Sequence, residues 1–159
     1  MNGLWGSYLG NIIMTMMIAA VPVIELRGAI PIGVANGLDV QTALLVSIIG
    51  NMLPVPIIIL FVRKVFAWMR HASERLNGIV SKLEQKAYNK KEVIDKYEWW
   101  GLVILVAIPL PGTGAWTGAL VAAMLDMQLR RALPAIFTGV IIAGLIVTSI
   151  TYGATVFLF

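Results

Sequence analysis

Four stretches of this chain carry no charged residue: 1–24, 40–62, 101–125 and 132–159. Each is long enough, at about 1.5 Å per helical residue, to approach or cross a hydrocarbon layer about 30 Å thick. That spacing leaves little room for a soluble core. Hydrophobic residues make up 59% of the chain and charged residues only 13%, with mean hydropathy +0.88, so the expected class is an all-α integral membrane protein. No basic region precedes the first apolar run and no small-residue cleavage site follows it, so a removed signal peptide is not expected. The chain has no cysteine, which excludes disulfides and thiol chemistry.

The basic residues are unevenly placed. Nine of the twelve lie between Arg63 and Lys96, so the net charge of +4 marks a connecting segment rather than a nucleic-acid-binding face. The positive-inside bias puts residues 63–98 in the cytoplasm. Within them Val65, Met69, Ala72, Leu76, Ile79 and Leu83 recur at spacings of four and three, predicting a helix with one apolar stripe that could join a second copy or lie on the membrane surface. Trp99 and Trp100 read as an interfacial anchor where the chain re-enters lipid. His71, the only histidine, falls in this soluble part.

Sliding the chain over itself by 87 positions places Pro22 on Pro109, Ala20 on Ala107, Ala35 on Ala122, Leu38 on Leu125, Asp39 on Asp126 and Gln41 on Gln128. The chain therefore reads as one membrane domain made of two repeats, 1–62 and 99–159, joined by the amphipathic linker 63–98. In each repeat an apolar arm reaches a proline, a Gly/Pro-rich centre, a second short arm, an Asp and then a long apolar run. The arms, 11–24, 28–38, 101–108 and 113–125, are too short to span. If each pair dips in and returns on one side, each repeat crosses once. Arg130 and Arg131 then join the basic linker, Asp39 lies outside, and the repeats are inverted. The expected fold is an inverted repeat of a re-entrant helical hairpin plus a transmembrane helix, with a cytoplasmic amphipathic helix between the halves.

Non-helical backbone at membrane depth is tolerated only where protein or a watery cavity surrounds it. The first tip, "VPVIELRGAIPIG", carries Glu25 and Arg27, which could share one cavity only if the tip is extended, because positions two apart on a helix point about 200° apart. The second tip, "IPLPGTGAWTGA", is uncharged. There Thr113 reads as an N-cap, and free N–H groups of the following helix could receive an anion. The candidate substrate-binding set is Arg27, Gly28, Gly112, Thr113, Gly114, Thr117 and Asn51, with Glu25 as the proton-coupling residue.

Structural readings stand beside these. Glu25 and Arg27 could be an ion pair that locks the hairpin, and Gly112, Gly114 and Gly118 could serve close helix packing. Asn51, with Pro54 and Pro56, could form a hinge; Thr138, its repeat counterpart, could line the same cavity or bond across helices. The Gly-rich stretch lacks the Lys-Ser/Thr of a nucleotide-binding loop. No Ser/His, Asp-pair or metal-ligand cluster lies in the apolar segments, so no enzyme, metal or cofactor is expected.

The pairing of "ELRGAIPIG" with "PLPGTGAWTGA" resembles the bacterial small multidrug export protein family and, more distantly, the DedA-like membrane proteins. The resemblance covers essentially the whole chain. It implies a polytopic protein of the bacterial or archaeal inner membrane with paired re-entrant hairpins and a transport role. DedA-like relatives are associated with proton-dependent movement of lipid carriers such as undecaprenyl phosphate, through acidic and arginine residues in the hairpins. Here Glu25 and Arg27 are the matching charges, and the second hairpin has none. The expected function is a proton-coupled secondary transporter for an amphiphilic substrate with an anionic group. The alternatives are a lipid-phosphate flippase or scramblase, a small anion channel, and an oligomeric structural protein. The partners expected are membrane lipid, a small-molecule or lipid-phosphate substrate, and a second copy of the chain, contacted through the apolar stripe or Gly139, Gly144 and Gly153.

Overall fold

The computed structural model describes residues 6–89 and 91–158, with side chains for 6–85 and 97–153. All regular structure among these residues is helical. The first half begins with α1 (Tyr8–Ala20), α2 (Glu25–Ala35) and α3 (Val40–Met52). Ser7 caps α1 by accepting from the Gly10 N–H at 3.0 Å. Asp39 caps α3 by accepting from the Thr42 N–H at 2.9 Å, and it also accepts from the Tyr8 hydroxyl at 3.2 Å. These bonds hold the Asp39 carboxyl below the usual carboxylate value and fasten the start of α1 to the start of α3.

Leu53 keeps helical dihedrals, so α3 runs on into α4 (Pro54–Ala72) and the two make a 33-residue rod, Val40–Ala72, free of charge as far as Val62. Pro54 and Pro56 have no N–H, which leaves the Gly50 and Met52 carbonyls without their helical partners but does not break the rod. Leu45, Ile49, Leu53, Ile57 and Phe61 form an outward stripe along it, each at least half exposed. At one helical turn per step this stripe is about 24 Å tall, close to the thickness of a hydrocarbon layer.

The linker contains α5 (Glu74–Asn89) and the start of α6 (Lys91–Ala107), which bends at Tyr97. Beside the bend, Trp99 and Trp100 meet edge to face with ring centroids 4.8 Å apart. The second half continues with α7 (Ala115–Met124) and the 30-residue α8 (Leu129–Leu158). Both halves therefore share one order: short helix, irregular turn, short helix, long apolar helix. The rod and α8 are long and apolar enough to cross a membrane, while α1, α7 and the part of α6 after its bend are shorter apolar helices.

Small residues set the packing distances. A Cβ on Gly50 would overlap the Met16 carbonyl oxygen and stand 3.0 Å from the Ala19 Cβ, so α1 and α3 touch backbone to side chain. In the second half a Cβ on Gly139 would stand 2.6 Å from the Val106 Cβ, and one on Gly118 would stand 2.5 Å from Val106 Cγ2. Leu26, Ile30, Val55, Ile59, Val106, Ile136 and Val140 are fully buried and form the core in which the halves cross.

The ends of the molecule are chemically distinct. Tyr8, Asp39 and Thr42 gather at one end. Elsewhere Arg63 of α4 donates to the Met127 carbonyl and lies 3.6 Å from Asp126, at the foot of α7; Arg131 lies 3.8 Å from Glu98. Arg63, Asp126, Glu98 and Arg131 thus sit on the side from which the linker leaves.

Three expectations change. The apolar stripe over 65–83 is not on one helix, because Ser73 is extended (φ −164°) and separates α4 from α5; Val80 is fully buried there, while Ile79 and Leu83 are exposed. Gly139 and Gly144 do not offer an intermolecular face, since each packs inside the chain, against Val106 and Leu44 respectively. Thr138 does not bond across helices; its hydroxyl donates to Pro134 of its own helix at 2.8 Å.

Candidate functional site

The two irregular turns meet each other. The first, residues 21–24, ends where α2 opens at Glu25, and both Val23 (φ 76°) and Glu25 (φ 49°) are left-handed. For non-glycine residues such backbone costs about 1–3 kcal/mol each and persists only where its surroundings hold it. Here the surroundings are the second turn. The tip is helical from Glu25 onward rather than extended, so Glu25 and Arg27 do not converge on one point.

Arg27 reaches the end of α6. Pro109 cannot donate a hydrogen bond, α6 stops at Ala107, and the carbonyls after it are left without helical partners. The Arg27 guanidinium fills that gap: Nη1 donates to the Leu110 carbonyl, and Nη2 donates to the Ile108 carbonyl at 3.3 Å and to Thr113 Oγ1 at 2.9 Å. A cation thereby sits at a helix C-terminus, where the backbone dipole favours it.

Glu25 reaches the start of α7. Its Oε1 accepts from the Trp116 N–H at 3.2 Å, and only 3% of the residue is exposed. An anion thereby sits at a helix N-terminus, again the favoured sign. Gly114, the residue before α7, has φ 122°, and a Cβ there would overlap Glu25 Oε2 with Cδ at 2.8 Å. Only glycine leaves that space. The Trp116 indole N–H donates to the Ala20 carbonyl at 3.2 Å, tying α7 to the end of α1 as well.

The two charges of the first tip therefore bind the two backbone ends of the second rather than each other. Among the described residues the ion pairs are Arg63–Asp126, Arg70–Glu84 and Arg131–Glu98. Arg27 has no carboxylate hydrogen-bonded to it, and its Nε is buried without an acceptor.

Five of the sequence-derived site residues are brought together here: Glu25, Arg27, Thr113, Gly114 and Gly112, whose carbonyl accepts from the Thr117 hydroxyl at 2.9 Å. Thr117 joins the group through that bond alone. Gly28 has a packing role, because a Cβ on it would meet Ile24 Cγ2 at 2.6 Å. Asn51 lies apart in the last turn of α3, 1% exposed, with its Oδ1 unpartnered. The N-cap of α7 is Gly114 rather than Thr113, whose hydroxyl turns back to the Ile108 and Leu110 carbonyls at 2.6 and 2.7 Å. The N–H group expected to await a foreign anion is occupied by Glu25. Sequence reasoning missed the Ile108 and Leu110 carbonyls and the Trp116 side chain. The spaced prolines 109 and 111, which strip donors from the turn, were the readable signal for the carbonyls.

Neither a curated protein nor a solved structure gives a significant match to the chain. The family model described as "Putative small multi-drug export protein" matches residues 25–146, a span that opens on Glu25 and contains the whole of the second tip. With that match over more than half of its length, and two helices long and apolar enough to cross a membrane, this multi-pass chain belongs to the small multi-drug export protein family.

Proposed function

We propose that the chain is a proton-coupled secondary transporter for an amphiphilic substrate bearing an anionic group. The observation that carries this reading is the docking of the tips. Arg27 is hydrogen-bonded only to neutral oxygens, which an anion can replace, and Glu25 is the buried acid beside it. An anion replacing the Leu110, Ile108 and Thr113 oxygens would release one tip from the other. A proton on Glu25 would weaken its hold on α7. Anion and proton then promote one another, which is the reciprocal linkage that coupling requires.

In this reading the hairpins α1–α2 and α6–α7 are re-entrant, enter from opposite faces of the cell membrane as an inverted repeat, and meet at mid-depth. Tyr8 bound to Asp39 at one end, and Arg63 bound to Met127 on the linker side, support it. Because the chain has no cysteine, single cysteines at Asp39, Ala72 and Arg130 report topology directly. Asp39→Cys is expected to react with an impermeant reagent from outside, and Ala72→Cys and Arg130→Cys only from the cytoplasm. Reaction of positions 39 and 130 from one face would end the inverted arrangement. With two full crossings per chain, a second copy completes the shielding of the tips.

The functional test is binding of an alkyl sulfonate, an amphiphilic anion whose charge does not change with pH, to the purified protein as a function of pH. Wild type should bind more tightly as pH falls and Glu25 takes up its proton. Arg27→Ala should lose binding, whereas Glu25→Gln should bind with no pH dependence. A Glu25→Gln profile that still follows the wild type would discard Glu25 as the coupling residue.

A further inference from the structure

The first half hides a row of polar side chains that the tip contacts do not use. Asn11 and Thr15 lie one turn apart on α1, and Ser47 and Asn51 lie one turn apart on α3. Thr15 and Ser47 are 0% exposed, Asn51 1% and Asn11 9%; Thr15 Oγ1, Ser47 Oγ, Asn51 Oδ1 and Asn11 Oδ1 all lack a hydrogen-bond partner. Helical serines and threonines often bond back to their own helix, as the half-buried Thr138 and Thr151 of α8 do at 2.8 and 2.7 Å, although Thr148 between them does not. Thr15 and Ser47 do not.

The four oxygens are ordered in space. Tyr8 stands beside Thr42 and Met16 beside Gly50, so α1 and α3 run parallel with α1 positions level with α3 positions 34 further along. On that register the order along the axis is Asn11, Ser47, Thr15, Asn51, alternating between helices with a rise of about 3 Å per step. The two faces turn toward the same place on α2, since a Cβ on Gly33 would meet Thr15 Oγ1 at 2.8 Å and the Ala43 Cβ at 3.4 Å, one turn before Ser47. At the lower end Asn11 lines a cavity of about 350 Å³ with Gly6, Ser7, Tyr8, Asn36 and Gly37. At the upper end Asn51 is level with the last turn of α1, from which a four-residue turn leads to Glu25.

The second half has no such row. At the shift of 87 positions Thr15 becomes Leu102, Ser47 becomes Pro134, and Asn51 becomes Thr138, which is bonded to its own backbone.

We propose that Asn11, Ser47, Thr15 and Asn51 form a one-sided proton path, holding a file of water molecules between the Asp39 end of the molecule and Glu25. Hydroxyl and amide groups with free lone pairs hold buried water, and such water relays protons. A hydronium ion at the mouth gives up a proton, each water passes one on, and the Glu25 carboxylate becomes a carboxylic acid, with no electron transferred. Arg27 is the charged neighbour of Glu25. Neither α1, α3 nor α7 brings a charged side chain, and Arg130 and Arg131 of α8 lie on the linker side. The path rests on Glu25 being the coupling residue and adds the side of supply: protons come from the Asp39 end, opposite the basic linker.

Infrared absorption of the Glu25 carboxylic acid after a rapid acid jump tests this on the purified chain. Ser47→Ala and Thr15→Val each remove one unpartnered oxygen with little change of shape, so both should fold as well as wild type or better. The rise of the acid band should slow by about a hundredfold in each, the low end of what a positioned proton-transfer group contributes. Its final amplitude should be unchanged, and Thr15→Ser and the second-half control Thr138→Val should keep the wild-type rate. Unchanged rates in Ser47→Ala and Thr15→Val would overturn the path while leaving Glu25 in its role. A band that persists in Glu25→Gln, or never forms in wild type, would instead remove Glu25 from coupling and the path with it.

Discussion

Gly114→Ala is expected to lower stability more than any other single-methyl addition at the tips. The added Cβ would overlap the Glu25 carboxylate, which has nowhere to move: the residue is 3% exposed and held by the Trp116 N–H. Displacing it strands a buried charge, a loss of about 3–5 kcal/mol. The backbone adds to this, since φ 122° strains a residue with a side chain by about 1–3 kcal/mol. Gly112→Ala is the internal control, because φ there is 83° but nothing lies within 4 Å, so only the backbone cost applies. Denaturation in detergent should place Gly114→Ala well below Gly112→Ala. Adding Glu25→Ala to Gly114→Ala should remove the collision and reduce the gap. Equal stability of the two alanine variants would mean that Glu25 does not dock on Gly114.

The second large effect concerns exchange of the two charges. If Glu25 and Arg27 were an ion pair, the double variant Glu25→Arg, Arg27→Glu would keep it and rescue the single changes. The contacts predict the reverse. The exchanged chain would set a guanidinium against the Trp116 N–H and a carboxylate against the Ile108 and Leu110 carbonyls, donor against donor and acceptor against acceptor. Each hydrogen bond to a charged group is worth about 1.5–3 kcal/mol, so the exchange should cost at least the sum of Glu25→Gln and Arg27→Met. A double-mutant cycle on unfolding measures this directly. A favourable coupling between the exchanged charges would show that they bind each other.

The tip contacts also explain how two charges persist between apolar segments without a hydrogen bond to one another. Backbone ends carry partial charges that a transmembrane rod keeps apart and a broken hairpin brings together. The α6–α7 turn presents a carbonyl end and an N–H end side by side. One basic and one acidic residue two positions apart are a matching probe for that arrangement, which accounts for a second tip with no charge of its own.

Much of this was legible in the sequence. Charge-free runs and mean hydropathy mark the membrane class, prolines and glycines mark both turns, and the shift of 87 positions pairs the tips. Those signals are local: a missing N–H at Pro109 or a missing charge over 23 residues acts wherever the chain happens to pack. What the sequence left open was direction. Glu25 and Arg27 read equally well as a pair, a cavity or a lock, because α2 beginning at a left-handed Glu25 depends on contacts with residues about 90 positions away. Thr113 read as an N-cap by residue type, and lost that place to Gly114 because the Glu25 carboxylate needs the space a side chain would fill. The polar row is the clearest case. Thr15 and Ser47 are unremarkable in sequence, and only the parallel packing of α1 on α3, set by Gly50 against Met16, aligns their oxygens with those of Asn11 and Asn51 and shuts them away from any other partner.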